Sequence, residues 1–281
     1  MGVFSKMAFD RQGLIVAERD GKPIGFVHAS FGPDEAGRRL DTSLGTTQVL
    51  MLRDGRPDGA AGTDLLHASE AYLRSRGATV LYAGGMQPLN AFYLGLYGGS
   101  EIPGVLQSDQ LLTGLCAAGG YREIDRIRIL QCDLGSFRAP VSHKLRALKR
   151  SIELVETIDP PARTWWESCV WSGLQRDQFQ LRDKYRGIPV ATACFWDVQP
   201  LSTCWGMCTA GLCDLYVEPE HRRRGCGTYL LSEAFRILRR RGVAAIEAQT
   251  TTHNEIAGAF YAKLGFAEID QGAVFRREPS G

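Results

Sequence analysis

The run Arg222-Arg223-Arg224-Gly225-Cys226-Gly227-Thr228 combines three guanidinium groups with two closely spaced glycines. The apolar segment 212–217 before it predicts a strand. The segment 229–241 after it predicts a helix, because apolar residues recur there at helical spacing and Gly242 follows as a stop signal. The N-terminus of a helix attracts anions through its free N–H groups and its dipole, and glycine allows a phosphate to approach closely. The sequence therefore predicts a phosphate-binding loop between a strand and a helix.

Two common phosphate loops do not fit this run. It lacks the Gly-Lys-Ser/Thr of a P-loop, and Leu230 stands where a dinucleotide fingerprint has its third glycine. The remaining pattern, Arg-x-x-Gly-x-Gly after Val217-Glu218-Pro219, resembles the acetyl-CoA loop of the GNAT superfamily of N-acetyltransferases. Asn254, Tyr261 and Leu264-Gly265-Phe266 match that superfamily in order and spacing. A basic helix cap on some other α/β protein is the alternative.

The resemblance implies a fold class and a cosubstrate. The fold is α/β, a central mixed β-sheet flanked by helices, and the cosubstrate is acetyl-CoA. Apolar segments at 244–248 and near 273–276 supply further strands of such a sheet.

The same pattern occurs twice, at an offset of 165 residues (214 minus 49). Thr63 aligns with Thr228, and Arg76-Gly77 aligns with Arg241-Gly242. Asn90 and Tyr97 correspond to Asn254 and Tyr261 with one residue of slippage. A repeat of this size predicts two tandem GNAT domains. We assign residues 1–137 to a degenerate N-terminal domain, 138–150 to a linker and 151–281 to a C-terminal domain with an intact loop.

The first copy departs from the family in its loop. Pro57 and Asp58 stand where the second copy has Arg222 and Arg223. Proline has no N–H to donate and a carboxylate repels phosphate, so we expect a structural role for this copy. A second CoA site that uses Arg53 or Arg56 stays open. The copy begins with a hairpin of segments 14–18 and 24–29, and an insert at 98–119 contains a predicted helix near 110–118.

The second copy contains more of the expected elements. Its first strand is predicted at residues 152–155, and a short helix with Trp165 and Trp166 is predicted at 161–172. A hairpin around Gly187 is predicted from segments 179–183 and 190–195. The basic stretch between the copies reads as a solvated linker, with nucleic-acid binding as the alternative.

Composition excludes several classes of protein. A net charge of +2 gives no electrostatic reason for a nucleic-acid partner, and no apolar run is long enough for a membrane helix. Without a recognisable signal peptide, we expect a cytoplasmic protein with reduced thiols. Cys204, Cys208 and Cys213 lack the paired spacing of zinc knuckles, so we predict buried thiols and no metal site.

The resemblance also implies roles for individual residues. The backbone of Leu215 and Val217, in a strand that parts from its neighbour, would pair with the pantetheine arm and orient the thioester. Tyr261 would be the general acid for the departing thiolate, and Asn254 would bond the cofactor. The pyrophosphate would be held by the loop residues Arg222, Arg224, Gly225, Gly227 and Thr228.

The general base is less well defined by the sequence. Asp214 stands where relatives often carry a carboxylate and faces the cleft if Leu215 faces the core, since side chains alternate along a strand. Glu247, His253 and a water relay are alternatives. We expect an N-acetyltransferase acting on a primary amine of a small metabolite. A non-catalytic acyl-CoA-binding or assembly module and a protein or peptide acetyltransferase are the alternatives, and a homodimer stays open.

Overall fold

The computed structural model describes residues 2–53, 59–141 and 143–278. Arg56, Pro57 and Asp58 of the first predicted loop lie outside these residues. The chain forms two compact units. The first comprises Met1–Arg128, Ala162–Gly173 and Asp270–Gly281, and the second comprises Ile129–Pro161 and Leu174–Ile269.

The first half of the chain contains six strands and two α-helices within the described residues. In chain order they are β1 (Leu14–Arg19), β2 (Lys22–Pro33), β3 (Leu40–Leu52), α1 (Gly59–Ser75), β4 (Val80–Ala83), β5 (Val105–Leu106), α2 (Gln110–Ala118) and β6 (Arg122–Asp133). The helix predicted within the insert is confirmed as α2.

The second half contains six strands and five α-helices within the described residues. They are α3 (His143–Ser151), β7 (Ile152–Ile158), α4 (Trp165–Val170), β8 (Arg176–Asp183), β9 (Pro189–Asp197), α5 (Gln199–Trp205), β10 (Thr209–Val217), α6 (Cys226–Arg240), β11 (Ala245–Thr251), α7 (Glu255–Lys263) and β12 (Ala267–Arg277). The predicted strands and the helix after the arginine loop are all present.

The strands of each unit form a mixed sheet. In the first unit the order is β1-β2-β3-β4-β12, with only β3 and β4 parallel among the paired strands of this series. In the second unit the order from β11 outward is β11-β10-β9-β8-β7, and β10 and β11 are parallel. The mixed α/β fold predicted from the resemblance is confirmed.

The internal repeat is visible in the strand register. In the first unit Leu44–Thr47 pairs with Val80–Ala83, and in the second Thr209–Leu212 pairs with Ala245–Ala248. Each residue of the second pair lies 165 positions after its counterpart (209 minus 44 and 245 minus 80). The offset found in the sequence therefore relates structurally equivalent residues of the two units.

An amphipathic helix covers one face of each sheet. In the second unit Leu230, Leu231 and Phe235 of α6 are buried against Phe179 and Phe195 of the sheet. In the first unit Leu65, Leu66 and Leu73 of α1 are buried with the apolar residues Val27, Phe31, Leu50 and Leu81 of β2, β3 and β4. The 3.6-residue periodicity that predicted the helix after the loop is the periodicity of this buried face.

The compact units differ from the division made in the sequence. The helix α4 lies in the first unit, where the indole nitrogen of Trp166 donates to the carbonyl oxygen of Pro88 at 2.8 Å. The amide of Trp166 donates to the carbonyl of Gly37 at 2.9 Å. The end of β12 pairs with β4, so the first unit also receives the last strand of the chain. An apolar pattern predicts that a segment is buried but does not specify its partner.

Two local expectations need correction. Most of the predicted linker is the helix α3, because Leu145 and Leu148 have an apolar surface to cover beside Gly225. Cys204 and Cys208 are exposed thiols, whereas Cys213 is buried as predicted. Cys204 lies on α5, a helix none of whose residues is buried. Among the described residues, no helix has the length and apolar character needed to span a bilayer.

His28 is a buried titratable residue of the first unit. Its ring is fully buried and lies 4.7 Å from the ring of Phe92, 5.3 Å from Phe9 and 5.6 Å from Tyr93, measured between centroids. Within the described part of the chain, neither ring nitrogen has a hydrogen-bond partner. Burial lowers the pKa of His28 to about 4, because the aromatic surroundings disfavour the imidazolium.

This histidine predicts a pH-dependent stability. Between pH 6.5 and about 4 the unfolded chain binds a proton that folded His28 does not, so stability is lost as the pH falls through this window. The loss amounts to about 3 kcal/mol at full extent, because one pKa unit corresponds to about 1.4 kcal/mol. Urea unfolding of the wild type and His28→Leu at pH 7.5, 6 and 5 measures it. The free energy of unfolding of His28→Leu should change less with pH than that of the wild type. The control His67→Gln, at an exposed histidine, should keep the pH dependence of the wild type. Equal slopes in wild type and His28→Leu would contradict the prediction.

Candidate active site

The strands β10 and β11 separate part-way along their length. Their parallel pairing ends at Leu212 and Ala248, whereas β10 continues to Val217. Beyond this point β10 pairs with β9 through Tyr216 and Val217. A strand edge that has parted from its neighbour presents backbone N–H and C=O groups that an extended ligand can pair with. This is the parting of strands predicted in the sequence.

A β-bulge lies at the separation point. The register of β10 against β9 shifts between Cys213 and Tyr216, and Asp214 adopts a φ of 51°. Positive φ is uncommon outside glycine and is tolerated best by Asn and Asp. Leu215 packs against the core while Asp214 is exposed. The carboxylate of Asp214 therefore lies on the outside of the bulge, and Leu215 holds the strand to the core.

The arginine loop begins directly after β10. Nε of Arg222 donates to the carbonyl oxygen of Val217 at 2.9 Å, and its guanidinium lies 5.6 Å from the centroid of Tyr216. Arg223 and Gly225 both have positive φ, 60° and 90°. The alternation of backbone conformations turns the chain sharply into α6. Arg222 thus ties the loop to the end of β10 in addition to its predicted role.

The first turn of α6 has no side-chain cap. Gly225 is the N-cap residue and has no side chain to accept from the helix N–H groups. The first N–H groups of a helix have no intrahelical acceptor, and the dipole places partial positive charge there. The exposed guanidinium of Arg224 adds charge beside this turn. Uncapped N–H groups, glycine and arginine together fit a pyrophosphate.

The helix α7 carries two of the predicted site residues. The side-chain oxygen of Asn254 accepts the N–H of Ala257 at 3.0 Å and caps the helix, which leaves its amide nitrogen as the donor. Tyr261 is 6% exposed, and its ring centroid lies 5.6 Å from Phe260 and 5.1 Å from Phe266. The Tyr261 ring is therefore part of the core of the second unit, independently of any catalytic role of its hydroxyl.

The three candidate bases differ in their exposure. Glu247 is fully buried on β11, where its oxygen accepts from Nε2 of Gln249 at 3.1 Å. Asp214 and His253 are exposed, the latter in the turn before α7. Exposed groups exchange protons with solvent more readily than a buried carboxylate. Among the described residues, no three potential ligands cluster as a metal site.

The equivalent region of the first unit is internally bonded. Nε2 of Gln48, at the register shift of β3, donates to Ser30 Oγ at 2.9 Å and to the carbonyl of Leu89 at 2.6 Å. The Tyr97 hydroxyl donates to Asp109 at 3.0 Å and accepts the N–H of Leu106. Burial and then the Asp109 charge raise the pKa of Tyr97. Gln48 and Tyr97 are thus engaged in structural contacts.

Comparison with known proteins agrees with this geometry. Residues 145–266 match the acetyltransferase (GNAT) family, the part of the chain that contains the loop and the parted strands. This match covers less than half of the chain, so similarity to the GNAT acetyltransferase family is shown for these residues alone. An uncharacterized N-acetyltransferase of Methanocaldococcus jannaschii is 36% identical over 55 residues, which are 20% of this chain and 24% of that relative. The alignment thus spans about a quarter of the curated relative.

Solved structures show the same fold over nearly the whole chain. A tandem GNAT protein from the clavulanic acid biosynthesis pathway has a TM-score of 0.65 at 18% identity, covering 95% of this chain and 83% of that one. A GCN5-related glucosamine N-acetyltransferase region of a fungal multi-domain protein has a TM-score of 0.66 at 19% sequence identity. That match covers 93% of this chain and 32% of the fungal chain. A GCN5-related N-acetyltransferase from Sphaerobacter thermophilus has a TM-score of 0.64 at 16% sequence identity, and the match covers 97% of this chain and 82% of that one. This chain therefore shares the fold of a tandem GNAT protein over 95% of its length.

The two loop glycines should respond differently to a methyl group. A Cβ on Gly225, at φ 90°, would lie 3.1 Å from Cδ2 of Leu145, so Gly225→Ala should lower the free energy of unfolding by about 1–2 kcal/mol. A Cβ on Gly227 would lie 3.4 Å from Phe260 and Val217, an ordinary contact. Gly227→Ala should keep its stability and weaken CoA binding about tenfold or more, because the methyl blocks close approach of phosphate.

Chemical denaturation and calorimetric CoA titration of both variants measure these effects. Unchanged CoA affinity in a stable Gly227→Ala protein would remove the phosphate assignment from the start of α6.

Proposed function

We propose that this protein is an acetyl-CoA-dependent N-acetyltransferase of the GNAT superfamily, that it acetylates a primary amine, and that the second unit carries the reaction. The observation that supports this proposal most strongly is that the free edge of β10 is continuous with the start of α6. The edge of β10 that has left β11 runs within a few residues into the uncapped start of α6. One extended thioester with a pyrophosphate at its end matches both features.

The binding roles follow from this layout. The backbone of Leu215 and Val217 would pair with the pantetheine arm, and the amide of Asn254 would donate to it. Arg222 would contribute through its terminal nitrogens, since its Nε is bonded to Val217. The remaining pyrophosphate contacts are assigned to the loop and first helical turn, Arg224, Gly225, Gly227 and Thr228.

The reaction needs a neutral amine, a stabilised oxyanion and a proton for the thiolate. The amine attacks the thioester carbonyl, and a backbone N–H of the β10 bulge polarises that carbonyl in the same way as an oxyanion hole. Collapse of the tetrahedral intermediate releases CoA thiolate, which Tyr261 protonates. Asp214, exposed at the bulge, is our choice for removing the amine proton, because Glu247 is fully buried.

A small amine is our choice of acceptor. The fungal region in the comparison is a GCN5-related glucosamine N-acetyltransferase, glucosamine is a small amine, and the fold match covers 93% of this chain. A non-catalytic acyl-CoA-binding module is the second candidate. It is favoured by one observation, that Tyr261 packs within the core and would be retained without catalysis.

Tyr261→Phe separates these two candidates. The substitution removes one hydroxyl and keeps the packing against Phe260 and Phe266. If Tyr261 is the acid, kcat for acetylation should fall about 10²–10⁴-fold while CoA affinity stays the same. Release of free CoA over a panel of amines, amino sugars and peptides, measured under single-turnover conditions, provides the readout.

Its counterpart in the repeat supplies the control. Tyr97→Phe loses the bonds to Asp109 and Leu106, so it should reduce stability by about 1–3 kcal/mol and leave kcat unchanged. Full turnover by Tyr261→Phe would remove the general-acid role, and a wild type that acetylates nothing in the panel while binding CoA would favour the binding module.

A further inference from the structure

The helix α3 between the two repeats is strongly basic and lies on the candidate site. Its nine residues include four lysines and arginines and no acidic residue. Leu145 and Leu148 lie 3.1 Å and 3.8 Å from where a Cβ of Gly225 would be, measured to their terminal carbons. The helix therefore packs directly on the loop that we assign to the pyrophosphate.

This packing brings the basic helix α3 beside the arginine loop. Arg146 and Lys149 of α3 are exposed, as are the three arginines of the loop. In the described part of the chain, the side chains of Arg146 and Lys149 form no hydrogen bond or ion pair. Like charges held close together repel one another, and the repulsion is relieved when a polyanion binds. Exposed basic groups on two adjoining elements favour an anionic ligand.

The helix geometry brings one basic residue to the side of the contact. Lys149 follows Leu148 by one residue, which is a rotation of about 100° around the axis. Lys149 also lies only about 40° from Leu145, so it flanks the leucine stripe that covers Gly225. Arg146 lies further around the same side, about 100° from Leu145 and about 160° from Leu148. A lysine or arginine at the end of a helix also favours the dipole, so the positions alone have a structural explanation. The dipole does not explain why this basic helix packs against the arginine loop.

CoA carries a second phosphate group besides its pyrophosphate, the 3′-phosphate on the adenosine ribose. We propose that α3 binds this 3′-phosphate through Lys149 and Arg146, and that the protein thereby distinguishes CoA from 3′-dephospho-CoA. The proposal rests on the CoA site of the proposed function and adds a specificity determinant to it. The helix start and the loop bind the pyrophosphate in both ligands, so only the contribution of α3 depends on the 3′-phosphate.

The test is calorimetric titration of the full chain with CoA and with 3′-dephospho-CoA. The wild type should bind CoA at least tenfold more tightly, since a charge-assisted phosphate contact is worth about one such factor. The double variant R146Q/K149Q should lose most of this preference by binding CoA more weakly, with the affinity for 3′-dephospho-CoA unchanged. The single variants should each lose part of it.

The control removes the same charge at a distance. Arg239 and Arg240 line a groove of about 460 Å³ at the other end of α6, away from the loop. R239Q/R240Q should keep the wild-type preference. If the wild type binds both ligands equally, if the preference survives in R146Q/K149Q, or if the control loses as much, the role of α3 is wrong while the CoA site stands. If the wild type binds neither ligand, the proposed function itself fails.

Discussion

The parting of β10 from β11 after Leu212 is the constraint on which the second unit depends. Parallel strands within a sheet have their backbone groups paired, and a bulge at Asp214 ends that pairing without unfolding either strand. Leu215 and Val217 keep the freed edge attached to the core. Because α6 covers the sheet through a buried apolar face, its N-terminus is fixed close to the end of the same edge. An extended cofactor could reach the charged loop only along the edge of β10 that the parting exposes.

Much of this could be predicted from the sequence, because the signals are local. Glycine spacing, arginines and the periodicity of residues 229–241 define a strand, a loop and a helix, and the 165-residue offset reappears in the strand register. The contacts of α3 and α4 could not be predicted. Leu145 and Leu148 indicate an apolar stripe but not that it covers Gly225, and Trp166 does not reveal Pro88 as its acceptor. Partners distant in sequence leave no local pattern.

The two copies show how one scaffold can serve two purposes. In the second unit the bulged strand has an exposed carboxylate and an adjoining helix start without a cap. In the first, Gln48 at the corresponding irregularity is bonded to Leu89, and Tyr97 is bonded to Asp109. Polar groups that are satisfied within the protein have little to gain from a ligand. We therefore propose that the second unit binds acyl-CoA and that the first has a structural role.

A crystal structure of the chain with bound CoA tests this account most directly. We expect one CoA per chain, with pantetheine along the edge of β10 between Cys213 and Val217 and the pyrophosphate at residues 225–228. No CoA should be found near α1 of the first unit. A structure with CoA only at the start of α1, or one in each unit, would contradict the central claim.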